Sequence, residues 1–380
     1  MKKQYIPALE YIRGLAMLGV IGIHTGAYSL SNQHVNIHLF ALLEILTRFS
    51  VPIFFFVSAF GLFLQQKDLS APLHYIAFMK RRIQAVFIPY VIWSLLYLLH
   101  SSIISHNFAV WSLPLLGKYL FFGLASYQLY FLVLLLWFYA LMPLWRIMLR
   151  HMLQRPVASI LSLLLLQIIF NYYSSYLLHP DLSNAYLNSF IDYRMNYWIA
   201  HYLFIFLLGA LCALHFDLFK QVLKHYSGYI SLSFLITTFG ILFYYYYLLF
   251  YKGYSPQEAV FTDHQLSPIG ILYTFSSALF WFMVFSSGKL PACITSTLKI
   301  LGKHSYFIYL VHPFVMYVLS YLLSHRGLLM TAANTIVFYL LTLGISLTVS
   351  LVTVKVSTKL PKFGLFLTGS TPKTTKSVSA

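Results

Sequence analysis

The sequence has few charged residues. Only 9% of its 380 residues are charged, and 60% are hydrophobic. A soluble domain usually carries about 25% charged residues, so water cannot be the solvent for most of this surface. Among the charged residues the acidic ones are in the minority, with 8 Asp and Glu against 25 Lys and Arg, which gives a net charge of +17. We expect membrane lipid and no nucleic acid as the partner of this excess, because basic residues collect on cytoplasmic loops and meet anionic lipid there.

Cysteine is also scarce. The chain has Cys212 and Cys293 alone, and neither lies in a CxxC or Cys/His pattern. We therefore expect no disulfide framework and no metal site. A cleavable signal peptide is not evident either. The first apolar stretch follows Met-Lys-Lys but is too long and leads into a second span, so we expect it to be retained as a helix.

Long apolar runs are what the sequence does have. A membrane-spanning helix needs about 20 mostly apolar residues, and the runs predict an all-α, polytopic membrane helix bundle with about ten transmembrane helices. The predicted spans are 7–29, 47–66, 84–104, 126–146, 157–175, 198–215, 229–250, 268–287, 300–323 and 334–355. The apolar stretch 113–125, interrupted by two glycines and a lysine, is predicted to be re-entrant or interfacial. We assign 1–366 to one transmembrane domain and the polar segment 367–380 to a disordered cytoplasmic tail.

The basic residues predict how the bundle is oriented. With a cytoplasmic N-terminus, 19 Lys and Arg lie inside, and those outside are Arg48, Lys118, Arg194, Lys252 and Arg326. This is a strong positive-inside bias, and an even number of spans returns the C-terminus to the cytoplasm. We expect a multi-pass protein of the cell membrane, in a bacterial plasma membrane, with both termini cytoplasmic.

Two polar residues interrupt the first span. Arg13 and His24 are eleven residues apart, so at 100° per residue they share one helix face, roughly 16 Å apart along the axis. The small residues between them let a helix or a ligand approach closely; they are Gly14, Ala16, Gly19 and Gly22. Alternatively, Arg13 snorkels to the interface or pairs with Glu10, and His24 is a packing histidine. The shared face favours a functional role for both.

The Arg-x10-His pattern, which opens as R-G-x-A, resembles the first helix of the membrane acyltransferase 3 family. Three further segments are similar to family motifs in the same order: VPIFFFVSA at 51–59, KRRIQAVFIPY at 80–90 and SYFIYLVHP at 305–313. The resemblance extends over essentially all ten predicted spans.

Some positions depart from the family pattern. The family often has Arg-x-x-Arg at the third span, whereas Arg82 is followed at that spacing by Ala85. The segment Gln128-Leu-Tyr-Phe131 corresponds to the family's H-L-W-[FY], and Ala59 stands where Gly is usual. The first change removes one arginine from the basic stretch, so this stretch need not work as it does in the family. The second change is consistent with a different acceptor.

The resemblance implies transfer of an acyl group, which we take to be acetyl, from cytoplasmic acyl-CoA to a hydroxyl of a cell-surface carbohydrate or its lipid-linked precursor. Acyl-CoA is then a donor substrate, and we expect no bound cofactor. Arg13 would hold donor phosphate by charge-assisted hydrogen bonds, and Arg81 and Arg82 would add to a cationic entrance. His24, deeper in the span, would act as general base on the acceptor hydroxyl.

A general base usually needs an orienting partner. Glu44 is the outward-side carboxylate nearest to His24 in sequence, but it could instead pair with Arg48 at i, i+4. His312 and Tyr309 are possible further site residues, and helix packing is the alternative for each. Ser58 is expected to bond its own helix backbone rather than act as a nucleophile.

A transporter or export component for polysaccharide or lipid-linked sugar is the alternative function. A transporter would be compatible with the same ten spans and the same buried polar residues. It leaves the Arg13/His24 pairing unexplained, and no internal repeat of the kind common in transporters is evident.

Overall fold

The computed structural model describes residues 5–32, 35–66, 68–179 and 183–370, and no β-strand occurs in these ranges. The α-helices are α1 (Pro7–Ser29), α2 (Ile37–Phe40), α3 (Ser50–Phe63), α4 (Tyr75–Arg82), α5 (Ile88–Ser105), α6 (Leu113–Phe122), α7 (Tyr130–Ala140), α8 (Met142–Met152), α9 (Pro156–Tyr172), α10 (Ala185–Asp192), α11 (Arg194–Tyr197), α12 (Leu203–Leu214), α13 (Phe216–His225), α14 (Ser227–Phe250), α15 (Pro256–Thr262), α16 (Pro268–Ser286), α17 (Ala292–His325), α18 (Ala332–Lys359) and α19 (Pro361–Thr368). Three π-helical turns lie at Ala41–Ile45, Ile83–Phe87 and Tyr173–Leu177, and two 3₁₀ turns lie at Ala109–Trp111 and Ile199–Tyr202. The all-α prediction is confirmed.

Within the described residues, 7 helical stretches are long and apolar enough to cross a membrane. They are Ile37–Phe63, Tyr75–Ser105, Pro156–Leu177, Ser227–Phe250, Pro268–Ser286, Ala292–His325 and Ala332–Lys359. The pairs α7–α8 and α12–α13 are bent by 69° and 102°, and counting each pair as one span gives 9. The predicted count of about ten is therefore not confirmed. With 23 residues α1 is long enough to span, but its polar residues keep it out of this count.

The apolar stretch 113–125 forms α6, which has 10 residues and is too short to cross the hydrocarbon core. It ends at Gly123, whose φ of 69° is left-handed, and a Cβ there would lie 2.8 Å from the backbone nitrogen of Tyr130. Glycine therefore permits the tight turn into α7. The length of α6 leaves both the re-entrant and the interfacial predictions open.

The helix α1 packs most extensively against α17 and also contacts α3, α16 and α18. Two glycines make the α1–α17 approach possible. A Cβ on Gly14 would lie 2.3 Å from the carbonyl oxygen of Leu298, and a Cβ on Gly302 would lie 2.0 Å from that of Glu10. Because no side chain fits at either place, the two backbones meet directly. This contact fixes the register between the polar residues of α1 and those of α17.

The C-terminal helix α19 packs back on α5. The indole Nε1 of Trp93 donates a hydrogen bond to the Leu367 carbonyl at 3.0 Å, and the helix continues to Thr368. The first two residues of the predicted tail are thus helical. The rest of that tail beyond Ser370, together with Lys2 and Lys3, lies outside the described residues.

Candidate active site

A cavity of about 230 Å³ lies between α1, α3, α7 and α17. Two cations, Arg13 and Lys303, line it, and none of the described carboxylates does. Five hydroxyl side chains also line it: Ser58, Tyr139, Ser305, Tyr306 and Tyr309. Most of the remaining wall is apolar. Positive charge, hydroxyl groups and an apolar wall together suit an anion that carries a slender, weakly polar arm.

Arg13 is half-buried, and no described carboxylate forms an ion pair with it. A Cβ on Gly61 of α3 would lie 3.9 Å from its Nη2, so the guanidinium packs against α3. Glu10 forms no ion pair with it, and the Glu10 carboxylate instead accepts a hydrogen bond from the Tyr5 hydroxyl at 2.6 Å. Across the described residues the Arg13 side chain makes no hydrogen bond or ion pair. Its N–H groups are therefore available to a ligand.

The other predicted donor-binding residues, Arg81 and Arg82, do not line the cavity. The Arg82 guanidinium carbon is 5.0 Å from the centroid of the Tyr139 ring, which belongs to the cavity wall. Arg81 is exposed. Ala85, which stands where the family often has a second arginine, lines the cavity from the π-helical turn Ile83–Phe87, and Lys303 of α17 supplies charge to the same cavity.

His24 and His312 form a stacked pair beyond the cavity. Their ring centroids are 5.3 Å apart, with 23° between the ring planes. Tyr309, which lines the cavity, has its ring centroid 6.0 Å from that of His312. Tyr127, from the turn between α6 and α7, packs on His24 at 4.3 Å. Arg13 and Tyr309 thus line the cavity, and His312 and His24 follow beyond Tyr309 without lining it.

The two histidines differ in their hydrogen bonds. His312 is fully buried, and its Nδ1 lies 3.1 Å from the Ile308 carbonyl oxygen. Its Nε2 has no partner among the described residues. His24 is half-buried and makes no side-chain hydrogen bond within the described part of the chain. Only His312 is therefore oriented by a hydrogen bond.

Glu44 lies close to α1 but bonds elsewhere. It is buried in the π-helical turn Ala41–Ile45, and a Cβ on Gly26 would lie 2.5 Å from its Cγ. Its Oε2 is 3.1 Å from Nη2 of Arg48, an i, i+4 ion pair. The Arg48 alternative is therefore what the structure shows, and no hydrogen bond joins Glu44 to His24. A catalytic role for Glu44 stays a prediction.

Arg48, one of the basic residues predicted to lie on the outer side, is largely buried, with 12% of its side chain exposed. Besides Glu44 it donates to the Gln265 side-chain oxygen at 3.2 Å and to the Val260 carbonyl at 3.4 Å. Burial raises the pKa of the neighbouring Asp263 to about 8, and the positive charge of Arg48 opposes that rise. This polar cluster ties the turn before α3 to the segment between α15 and α16.

Sequence reasoning missed three residues of the site. Lys303 could have been found, because it lies two residues before the SYFIYLVHP segment on the same helix. Tyr127 directly precedes Gln128, where the chain departs from the family pattern. Tyr139 gave no signal, since it is one of several aromatics in the apolar run of α7.

Comparison with protein families gives this arrangement its context. A family model described as an acyltransferase domain, of the acyltransferase 3 type, matches residues 6–355. The chain belongs to the acyltransferase 3 family. No curated protein and no solved structure matches it. The resemblance drawn from four motifs is confirmed, and the family supports a membrane acyltransferase.

Proposed function

We propose that this acyltransferase 3 member moves an acetyl group from cytoplasmic acetyl-CoA to a hydroxyl of a cell-surface carbohydrate or of its lipid-linked precursor. The cavity between α1 and α17 is the observation that carries the proposal. Arg13 and Lys303 line it without any of the described carboxylates, and Tyr309 of its wall has its ring 6.0 Å from that of His312, which stacks on His24. Acetyl-CoA has the matching parts, since its phosphates are joined by a slender arm to a thioester.

The donor's phosphates would be bound by the cations. Arg13 offers a planar fork with unpaired N–H groups, which suits bidentate phosphate contacts. Lys303 is more exposed and adds a point charge. Arg82, behind the Tyr139 ring, and the exposed Arg81 strengthen the positive field at this end of the cavity. Arg81 and Arg82 therefore assist donor approach rather than contact the bound arm.

The acceptor would meet the thioester at the histidine pair. The half-exposed Tyr127 ring and His24 lie together on one side of this centre, and an aromatic ring offers a flat, weakly polar surface to a sugar. Glu44 supports the centre from behind Gly26 through packing and its ion pair with Arg48. The hydroxyl comes from the outer side and the donor from the cytoplasm, so the bundle joins the two substrates across the membrane.

The direct test compares cells with and without the gene. Membrane vesicles receive acetyl-CoA labelled in the acetyl group, and the label is followed into glycans and lipids, which are then analysed by mass spectrometry. We expect labelled acetyl esters only in vesicles that contain the protein, with an Arg13→Ala variant as the inactive control. Equal labelling in vesicles with and without the protein would reject the proposed function.

A further inference from the structure

The side chain of His312 has a fixed tautomer. A carbonyl oxygen can only accept a hydrogen bond, so the 3.1 Å contact with the Ile308 carbonyl places the hydrogen on Nδ1. In the neutral ring Nε2 then carries the lone pair. Pro313 has no N–H and leaves the Tyr309 carbonyl without its usual helical donor. The hydrogen bond to the Ile308 carbonyl, one turn earlier on the same helix, therefore orients the imidazole.

The lone pair on Nε2 of His312 receives no hydrogen bond from the described residues. The residue is 0% exposed, and Nε2 has no partner within the described ranges. The phenols nearby are engaged elsewhere: the Tyr309 hydroxyl donates to the Gln128 carbonyl, and the Tyr127 hydroxyl lies 3.6 Å from the Met316 sulfur. A buried acceptor without a donor is rare in native proteins. His312 does not line the cavity itself, but its ring lies 6.0 Å from that of Tyr309, which does, so a ligand that reaches past Tyr309 would find a free acceptor at Nε2.

His24 lacks these features. It has no orienting hydrogen bond within the described chain, and Glu44, the carboxylate expected to provide one, pairs with Arg48 instead. A general base needs both a lone pair toward its substrate and a group that holds the ring in place. Among the described residues, the titratable rings that contact His312 are those of His24, Tyr127 and Tyr309, and none of these groups is a carboxylate.

We propose that, if the chain transfers acyl groups as argued above, His312 rather than His24 is the general base. Its Nε2 accepts a hydrogen bond from the acceptor hydroxyl and takes the proton as the hydroxyl oxygen bonds to the acyl carbon. The carbon–sulfur bond breaks, and the departing CoA thiolate takes that proton from Nε2. His24 stacks on the base and helps to position the acceptor.

The test uses vesicles with labelled acetyl-CoA and compares His312→Gln with His24→Gln. General-base catalysis contributes about 10²–10⁴-fold, so His312→Gln should lose transfer by that factor, whereas His24→Gln should lose about tenfold or less. Binding of CoA to the purified variants, measured by calorimetry, should stay within about twofold of wild type and shows that they are folded. Transfer by His312→Gln at a near-normal rate would overturn the assignment.

A rescue experiment separates chemistry from packing. In His312→Ala vesicles, added imidazole should restore part of the transfer, whereas pyrazole, which has nearly the same shape but is a much weaker base, should not. Equal rescue by both compounds, or by neither in a variant that still binds CoA, would make His312 a packing residue. A wild-type protein that shows no acetyl-CoA-dependent labelling would instead reject the proposed function itself, so the two failures are distinguishable.

Discussion

Arg13 lies beside the cavity without an ion-pair partner among the described residues, and such a charge is costly in a membrane helix unless a ligand uses it. Arg13→Lys keeps the charge but loses the planar fork. We expect CoA affinity to fall about 10- to 100-fold, the effect of losing one or two charged hydrogen bonds, while folded yield stays normal. Calorimetry on the purified variant measures the affinity. Unchanged affinity would remove Arg13 from the donor site.

Lys303 and Lys299 form a matched pair on α17. Both are exposed, but Lys303 lines the cavity while the Lys299 ammonium lies 6.0 Å from the Tyr5 ring centroid. Because solvent weakens an exposed charge, Lys303→Gln should lower CoA affinity only about three- to tenfold, and Lys299→Gln should leave it unchanged. Equal losses in both variants would mean that only the general positive field matters.

The sequence predicts that His24 is the general base, whereas our proposal from the structure makes it a residue that positions the acceptor. As the general base predicted from sequence, His24 would lose about 10²–10⁴-fold of transfer in both Ala and Gln variants. As a positioning residue beside His312, it should tolerate Gln, which keeps the size and some hydrogen bonding, far better than Ala. Transfer rates of the two variants in vesicles decide the matter. A loss above about 100-fold in His24→Gln, with CoA binding intact, would restore the base role to His24.

Part of the site was predictable because it lies on one helix. The period of an α-helix alone puts Arg13 and His24 on one face. Their partners were not predictable in the same way, since Lys303 and His312 reach them only through the register between α1 and α17. That register is set by close contacts at Gly14 and Gly302, which no sequence period specifies.

The helices, too, were predictable from the sequence only in part. Apolar runs predicted the long helices, but the bends of 69° and 102° and the three π-helical turns depend on packing between helices. Two of those turns are at the site: one carries Glu44 and the other carries Ala85. A π-helical turn adds a residue to the helix and rotates the residues after it onto a different face, and such turns are frequent at functional sites. Periodicity counted along the sequence cannot anticipate that rotation.

Substitution at Gly14 tests the α1–α17 contact. In Gly14→Ala the new Cβ would lie 2.3 Å from the Leu298 carbonyl oxygen, so the helices must separate, at a cost of about 1–3 kcal/mol. We expect a lower melting temperature in detergent and weaker CoA binding. Gly344→Ala on α18 is the control, because no atom lies within 4 Å of the added Cβ and alanine favours the helix. Similar behaviour of the two variants would mean that the close contact is unimportant.

At the scale of the whole molecule, the predicted orientation in the membrane depends on the number of Lys and Arg residues on each side. The structure shows that some of these residues are buried and hydrogen-bonded. Arg146 donates to the Leu69 carbonyl at 2.7 Å, and Arg194 donates to the Ser174 carbonyl at 2.6 Å. Both arginines are buried. Their hydrogen bonds join separate segments of the chain, so these two residues have a structural role besides contributing charge to the positive-inside bias. Arg48 is likewise tied into its cluster. The predicted bias still has its other basic residues, among them the exposed Lys299 and Lys303.

The two native cysteines allow that orientation to be measured. Cys293 is exposed at the start of α17, whereas Cys212 is buried, so Cys293 reports the end near Arg13. We expect a membrane-impermeant maleimide to spare Cys293 in intact cells and to label it in inverted vesicles. A Cys293→Ser, Gln257→Cys variant carries its thiol on the exposed face of α15, which the charge bias places outside, and should label in intact cells. The opposite pattern would place the Arg13 cavity on the outer face, where cytoplasmic acetyl-CoA has no access, and would overturn both the orientation and the donor route.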